Sequence, residues 1–203
     1  MEITYLFDPM CSWCWGFAPV IDKLTVALAG KGKLHYRVGG LRAGQQQPLT
    51  PPLRNYILEH WQQVQKTTGQ PFNFSGALSE GFIYDTEPSC RAVVVAREHF
   101  PDQLKKLITA LQRGFYVNQL DITTPHGIKQ VAAEAGLPEE GFMEAFFSNE
   151  TKALTEQDFE FTYNLGIQGF PTLLFTDQQQ WHILVSGYKR WEELQPLMKE
   201  LII

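Results

Sequence analysis

Cys11-Ser12-Trp13-Cys14 is the stretch of this chain whose residue types and spacing suit electron-pair chemistry. Two thiols three positions apart at a helix start lie within one turn of each other. They can close a disulfide and reopen it against an external one. The thiolate is the nucleophile, and a free cysteine, with a pKa of about 8.5, is mostly protonated at neutral pH. A place in the first helical turn favours the thiolate, because free backbone N–H groups and the helix dipole point at it. Cys11 is expected in that turn. Cys14 is expected on the same face and deeper. The chemistry is then asymmetric: Cys11 attacks or is attacked and forms a mixed disulfide, and Cys14 resolves it.

The spacing has other meanings. Half of a tetrahedral zinc site is one, but the chain has no second CxxC, and His35 and His60 form no ligand-spaced pair with the cysteines. No metal is expected. Two ordinary thiols are another. Asp8 precedes the cysteines and either supports their titration or accepts backbone hydrogen bonds in an Asx-type turn. Trp13 is expected at the surface, bordering a substrate, and Trp15 and Phe17 in packing. Tyr84, Phe115 and Tyr116 are candidates to line a cleft from the helical side. Cys90, the odd thiol, sits in an amphipathic stretch and reads as a small buried residue, with a third redox thiol as the alternative. Asp22 reads as a solvated acid and His126 as an exposed residue of a first helical turn.

The elements that must position these residues follow from pattern and punctuation. Residues 3–7 are apolar and aromatic and end at Asp8-Pro9, as a buried strand does. Residues 12–29 read as a helix, kinked at Pro19 and stopped by Gly30-Lys31-Gly32. A second strand is expected over 34–38, then a loop through Gly39, Gly40, Gln45–Gln47, Pro51 and Pro52. Helices are expected over 53–66, over 87–98 with Thr86 as N-cap, after Pro101, after Pro125 and Pro138, and over 154–165. Strands over 171–175 and 181–185 suit an antiparallel hairpin, and 191–201 a closing helix. This order gives an α/β chain with a mixed sheet. Residues 1–48 and 151–203 form one domain in this division, with 49–150 as an inserted helical subdomain.

The chain has 203 residues, an apolar fraction of 44% and a net charge of −5 with acids and bases interspersed. That supports a sizeable core and offers no basic groove for nucleic acid. No apolar run reaches the roughly 18 residues of a membrane span. The first strand begins almost at Met1, without a basic leader or small-residue cleavage site, so a cytoplasmic location is expected. Three cysteines are too few for a disulfide scaffold. In a reducing compartment a close pair is catalytic, redox-sensing or metal-binding.

The segment from Asp8 to Pro19, with Cys11, Cys14 and a proline eight positions after Cys11, resembles the active-site segment of the thioredoxin superfamily. It is most similar to the cytosolic DsbA-like branch described as dithiol-disulfide isomerases. Gly169-Phe170-Pro171-Thr172 matches the second superfamily mark. The resemblance covers essentially the whole chain and implies a thioredoxin-like fold with a large inserted helical subdomain. It implies a cis Pro171 facing the cysteines, whereas the residues alone allow a proline that simply starts a strand. It also implies that Phe170 offers its backbone to substrate, and places Ser12, Trp13, Phe170 and Pro171 at the substrate. Where the best-known periplasmic member carries Pro-His between its cysteines, this chain has Ser12-Trp13. The imidazole that helps the thiolate is gone, so a milder potential is expected. Ser12 Oγ is expected to donate a hydrogen bond or cap the helix.

The function this implies is thiol-disulfide oxidoreductase or isomerase. Its partners would be protein or small-molecule thiols and disulfides, with glutathione or a thioredoxin system as electron donor and no permanently bound cofactor. Two alternatives stay open. Kappa-class glutathione transferases and hydroxychromene-carboxylate isomerases resemble the same architecture, commonly with serine at the first cysteine's place. A binding or chaperone-like protein would use the cleft without turnover.

Overall fold

The computed structural model describes residues 1–177 and 180–201. Strand β1 (Glu2–Phe7) is buried from its second residue on, and it lies inside a four-stranded sheet of order β2-β1-β3-β4. It pairs in parallel with β2 (Lys33–Val38) and antiparallel with β3 (Thr172–Asp177), which pairs antiparallel with β4 (Gln180–Ser186). The expected hairpin pairing is present; Gln178 and Gln179 of its turn lie outside the described residues. β3 begins at Thr172, because Pro171 has no N–H for a ladder.

Helix α1 (Ser12–Leu28) follows β1 and buries Cys14, Trp15, Phe17, Val20, Ile21, Leu24 and Leu28. It continues as one helix through Pro19. A mid-helix proline leaves the carbonyl four residues earlier without its partner. Here that carbonyl belongs to Trp15, and Gln70 Nε2 donates to it at 2.9 Å. Gln70 lies just past α2 (Pro51–Thr68), so the helix fault becomes a tie between α1 and α2. Gly16 brings the two helices close: a Cβ there would sit 2.9 Å from Val64 and Thr68 side chains.

Pro51 and Pro52 open α2 rather than continuing the loop, at positions where a missing N–H costs nothing. α3 (Glu87–His99), a 3₁₀ turn (Pro101–Gln103), α4 (Leu104–Tyr116), α5 (Pro125–Glu134) and α6 (Glu139–Phe147) follow. Thr86 precedes α3 without capping it; its hydroxyl accepts from Arg42 N–H at 3.2 Å instead. α7 (Asn149–Asn164) starts five residues before the expected position, with Ser148 Oγ accepting from Thr151 N–H. Its buried face carries Thr151, Thr155, Asp158 and Thr162, so apolar periodicity does not reveal it. Asp158 binds Arg37 at 3.0 Å, Val38 N–H at 3.1 Å and Arg97 at 2.5 Å, fastening α7 to β2 and α3. α8 (Trp191–Leu201) closes the described chain. No described helix is long and apolar enough to cross a membrane.

Candidate active site

The chain leaves β1 at Phe7, turns through Asp8-Pro9-Met10 and enters α1 at Ser12. Cys11 is the N-cap, with φ −85° and ψ 115°, one residue before the expected first turn. Its carbonyl accepts from Cys14 N–H at 2.9 Å and Trp15 N–H at 3.1 Å. Ser12 is therefore not the cap; it is half-buried at the first helical position. Cys11, Cys14 and Cys90 are free thiols. Cys11 is 6% exposed and Cys14 fully buried, the expected asymmetry.

The Phe170–Pro171 peptide is cis. Cys11 Sγ donates to the Phe170 carbonyl oxygen at 3.5 Å. The motif near residue 170 and the cysteines are thus brought together from opposite ends of the chain.

Cys11 opens on a cleft of about 480 Å³ whose walls include Trp13, Arg42, Tyr56, His60 and Phe170. Trp13 is half-buried, with its ring 5.6 Å from that of Tyr188. Trp15 and Phe17 are packed inside; Trp15 Nε1 donates to the Pro71 carbonyl at 3.0 Å. Of the aromatics proposed for the helical side, Tyr84 lines the cleft, and its hydroxyl donates to the Met10 carbonyl beside Cys11. Phe115 and Tyr116 lie deeper, packed edge-on against Trp61 at 5.5 and 5.0 Å. Arg42 stands 5.6 Å over the Tyr84 ring. Among the described residues, no carboxylate lines this cleft.

Asp8 is completely buried and serves as more than an Asx turn. Its carboxylate accepts from Met10 N–H at 2.8 Å, Leu41 N–H at 2.7 Å and Cys90 Sγ at 3.5 Å. Burial pushes its pKa up, while Thr86 and these donors pull it back. It holds the active loop to the loop carrying Arg42 and to α3. Cys90 is a small residue fully buried in α3, with its thiol pushed up first by burial and then by Asp8. Burial likewise pushes the Cys14 thiol up, and the nearby Cys11 sulfur adds to this. Tyr5 and Cys14 line one small cavity behind the site.

Asp22 is exposed and pairs with Lys105 at 2.8 Å. His126 is exposed in the first turn of α5. No cluster of three or more metal-ligating side chains occurs among the described residues. Sequence reasoning missed Tyr5, Gly39, Arg42, Tyr56 and His60. The Gly39-Gly40 step was the only local signal among them, since a Cβ at Gly39 would collide with the Phe170 ring.

The model of the DSBA-like thioredoxin domain matches residues 2–199. The chain belongs to the DSBA-like family. A structure of a candidate protein disulfide isomerase from Nitrosomonas europaea is 40% identical, covers 98% of this chain and 96% of its own, and superposes with a TM-score of 0.91. The cytosolic disulfide reductase DsbM from Pseudomonas aeruginosa is 25% identical over 99% of this chain and 98% of its own, with a TM-score of 0.80. DsbM has also been solved with GSH, where the TM-score is 0.78. Among curated relatives, the ClpXP adapter protein SpxH of Halalkalibacterium halodurans is 23% identical over 210 residues, all of this chain and 68% of its own.

Proposed function

We propose that this DSBA-like protein is a thiol-disulfide oxidoreductase or isomerase with Cys11 as nucleophile and Cys14 as resolving thiol. The observation that carries this is the Cys11 sulfur at the N-cap of α1, against the Phe170 carbonyl and open to the cleft. The Cys11 thiolate attacks a substrate disulfide; a Cys11–substrate S–S bond forms, and the first substrate thiolate leaves with the electron pair of the broken bond. Cys14 sulfur then attacks Cys11, giving up its proton, and the second substrate thiolate departs. The substrate disulfide has gained two electrons and the dithiol has become a disulfide. Once Cys11 is in a mixed disulfide it carries no charge, so its contribution to the raised Cys14 pKa disappears just when Cys14 must ionise. Glutathione or a thioredoxin system would return the electrons, and a cytoplasmic location suits that donor. The DsbM structure with GSH supports a small thiol as partner, as does Arg42 in the wall of the cleft, where an anionic thiol such as glutathione would meet it. Trp13, Ser12 and Phe170 would border the bound substrate, with Pro171 holding the Phe170 carbonyl in place.

The experiment is disulfide exchange with single-cysteine variants. Cys11→Ser is expected to lose exchange and Cys14→Ser to accumulate a substrate adduct detectable by mass. Full exchange by Cys11→Ser overturns the reading. The SpxH relatives favour a second reading, an adapter that uses the cleft to bind a partner without turnover. Partner binding preserved in Cys11→Ser, with no exchange in the parent protein, would establish that one. A glutathione-dependent transferase or isomerase predicts turnover of an electrophile instead.

A further inference from the structure

The dipeptide between the cysteines holds no imidazole, yet α2 brings one to the same cleft. His60 stands half-buried in its wall, which Cys11, Arg42, Tyr56 and Tyr84 also line. The ring is held in two ways. Tyr56, one helical turn earlier, packs its own ring 4.2 Å away between centroids. The Tyr56 carbonyl oxygen lies 2.9 Å from His60 Nδ1. A carbonyl only accepts, so Nδ1 carries the hydrogen and donates it. The neutral ring then has its lone pair on Nε2, free of that bond. The other groups of the cleft are poor proton acceptors at neutral pH. Guanidinium and phenol groups already hold their protons, and the Tyr84 hydroxyl is committed to the Met10 carbonyl. A volume of about 480 Å³ suits one small molecule, so a thiol bound there meets Cys11 and His60 together.

We infer that His60 is the general base for the thiol that resets the site, taking its proton as it attacks oxidised Cys11. The inference rests on the thiol-exchange function proposed above and concerns the return half of that cycle. The donor thiol gives its proton to Nε2, and its sulfur attacks the Cys11 sulfur. A donor–Cys11 S–S bond forms and the Cys11–Cys14 bond breaks. Cys14 leaves with the electron pair of the broken bond and takes up a proton. His60 releases its proton to solvent through the open cleft. A second donor thiol gives its proton to Nε2 in turn and attacks the sulfur of the first. The donor disulfide forms, and Cys11 leaves with the electron pair and is reprotonated. Two donor thiols have lost two electrons, and the protein dithiol has gained them. The titratable groups around His60 are Tyr56 of α2, Cys11 at the start of α1, Arg42 after β2 and Tyr84 before α3. Glu59, its neighbour in α2, is exposed.

The test starts from the full chain with Cys11 and Cys14 oxidised to a disulfide. Its reduction is followed by acid quenching, alkylation and mass, with two reductants. N-acetylcysteinamide, a neutral thiol of the cysteine type, must lose a proton to attack. Tris(hydroxypropyl)phosphine attacks the same disulfide with a lone pair it already has. A thiol with a pKa of about 8.5 is about 3% ionised at pH 7, so a base beside it gains at most about thirtyfold. His60→Gln is expected to slow reduction by the thiol about tenfold at pH 7, within that ceiling, and to leave the phosphine rate unchanged. The deficit should close by about pH 9.5, where water has already ionised the thiol. Equal thiol rates in variant and parent at pH 7 overturn the inference. Equal slowing with both reductants, or a deficit that persists at high pH, also overturns it, by showing a structural role. If no Cys11–Cys14 disulfide forms in the parent protein, the exchange function itself fails and this inference with it, a distinguishable result.

Discussion

The Phe170 ring occupies the space where a side chain on Gly39 would begin: a Cβ built there lies 1.8 Å from Cζ. Gly39 immediately follows β2, and Phe170 carries the carbonyl that receives the Cys11 thiol. The smallest residue on one strand end thus sets the position of a group that touches the nucleophile.

Gly39→Ala is therefore expected to destabilise the protein by about 1–3 kcal/mol, as overpacking does. It should also lower exchange, because Phe170 must move and take its carbonyl with it. Denaturant unfolding and single-turnover exchange on the same sample test the two effects. An unchanged exchange rate would separate Phe170 from the chemistry.

Asp8 makes stability depend on pH. Its folded pKa is raised by burial, so the folded state binds more protons than the unfolded state across the window above the ordinary carboxylate range. Stability from this group is present at low pH and falls as pH rises from the unfolded pKa through the folded one. In Asp8→Asn that component of the slope is expected to vanish when unfolding free energy is measured from pH 4 to 7. The amide has one acceptor oxygen for the two N–H groups of Met10 and Leu41, so the variant is also expected to loosen the Arg42 loop.

Arg42 is expected to favour disulfides that carry carboxylates. Arg42→Gln should lower the ratio of kcat/KM for a carboxylated disulfide over a neutral one of similar size. About tenfold is the scale of one charge-assisted contact. An unaltered ratio would remove Arg42 from substrate selection.

Asp158 is 2% exposed on its side chain and satisfies both Arg97 and Arg37. Asp158→Ala leaves those guanidinium groups and the Val38 N–H without it. A loss of about 1–3 kcal/mol is expected, the scale for buried hydrogen bonds to a charged group, because Arg37 and Arg97 keep partial contact with solvent. Thermal or denaturant unfolding measures it.

The sequence shows plainly what is local. Cys11, Cys14, Pro19 and Pro171 can be picked out by spacing, and the succession of elements along the chain follows from apolar runs between turns. The start of α7 is hidden because threonines and Asp158 make up its buried face, and a polar face looks solvated until its partners are known. Pro51 and Pro52 resemble loop residues for a similar reason, since a proline pair also marks a helix start. Tyr5 and Arg42 are harder still. Nothing beside Tyr5 in the chain indicates that it shares a cavity with Cys14. Arg42 gains its meaning from Tyr84 and from α2, both distant in sequence. Ser12 illustrates a local rule missed by one residue, since the cap falls on Cys11.

The clamp around Asp158 also bears on how chains of this protein meet one another. β2 is an edge strand, and edge strands are where a foreign strand adds to a sheet. Here the Val38 N–H is taken by Asp158 and the Tyr36 carbonyl by Arg97. Two of the main-chain groups an incoming strand would need are already spoken for by side chains. The charges that fasten α7 thus also leave an incoming strand fewer free main-chain groups along this margin.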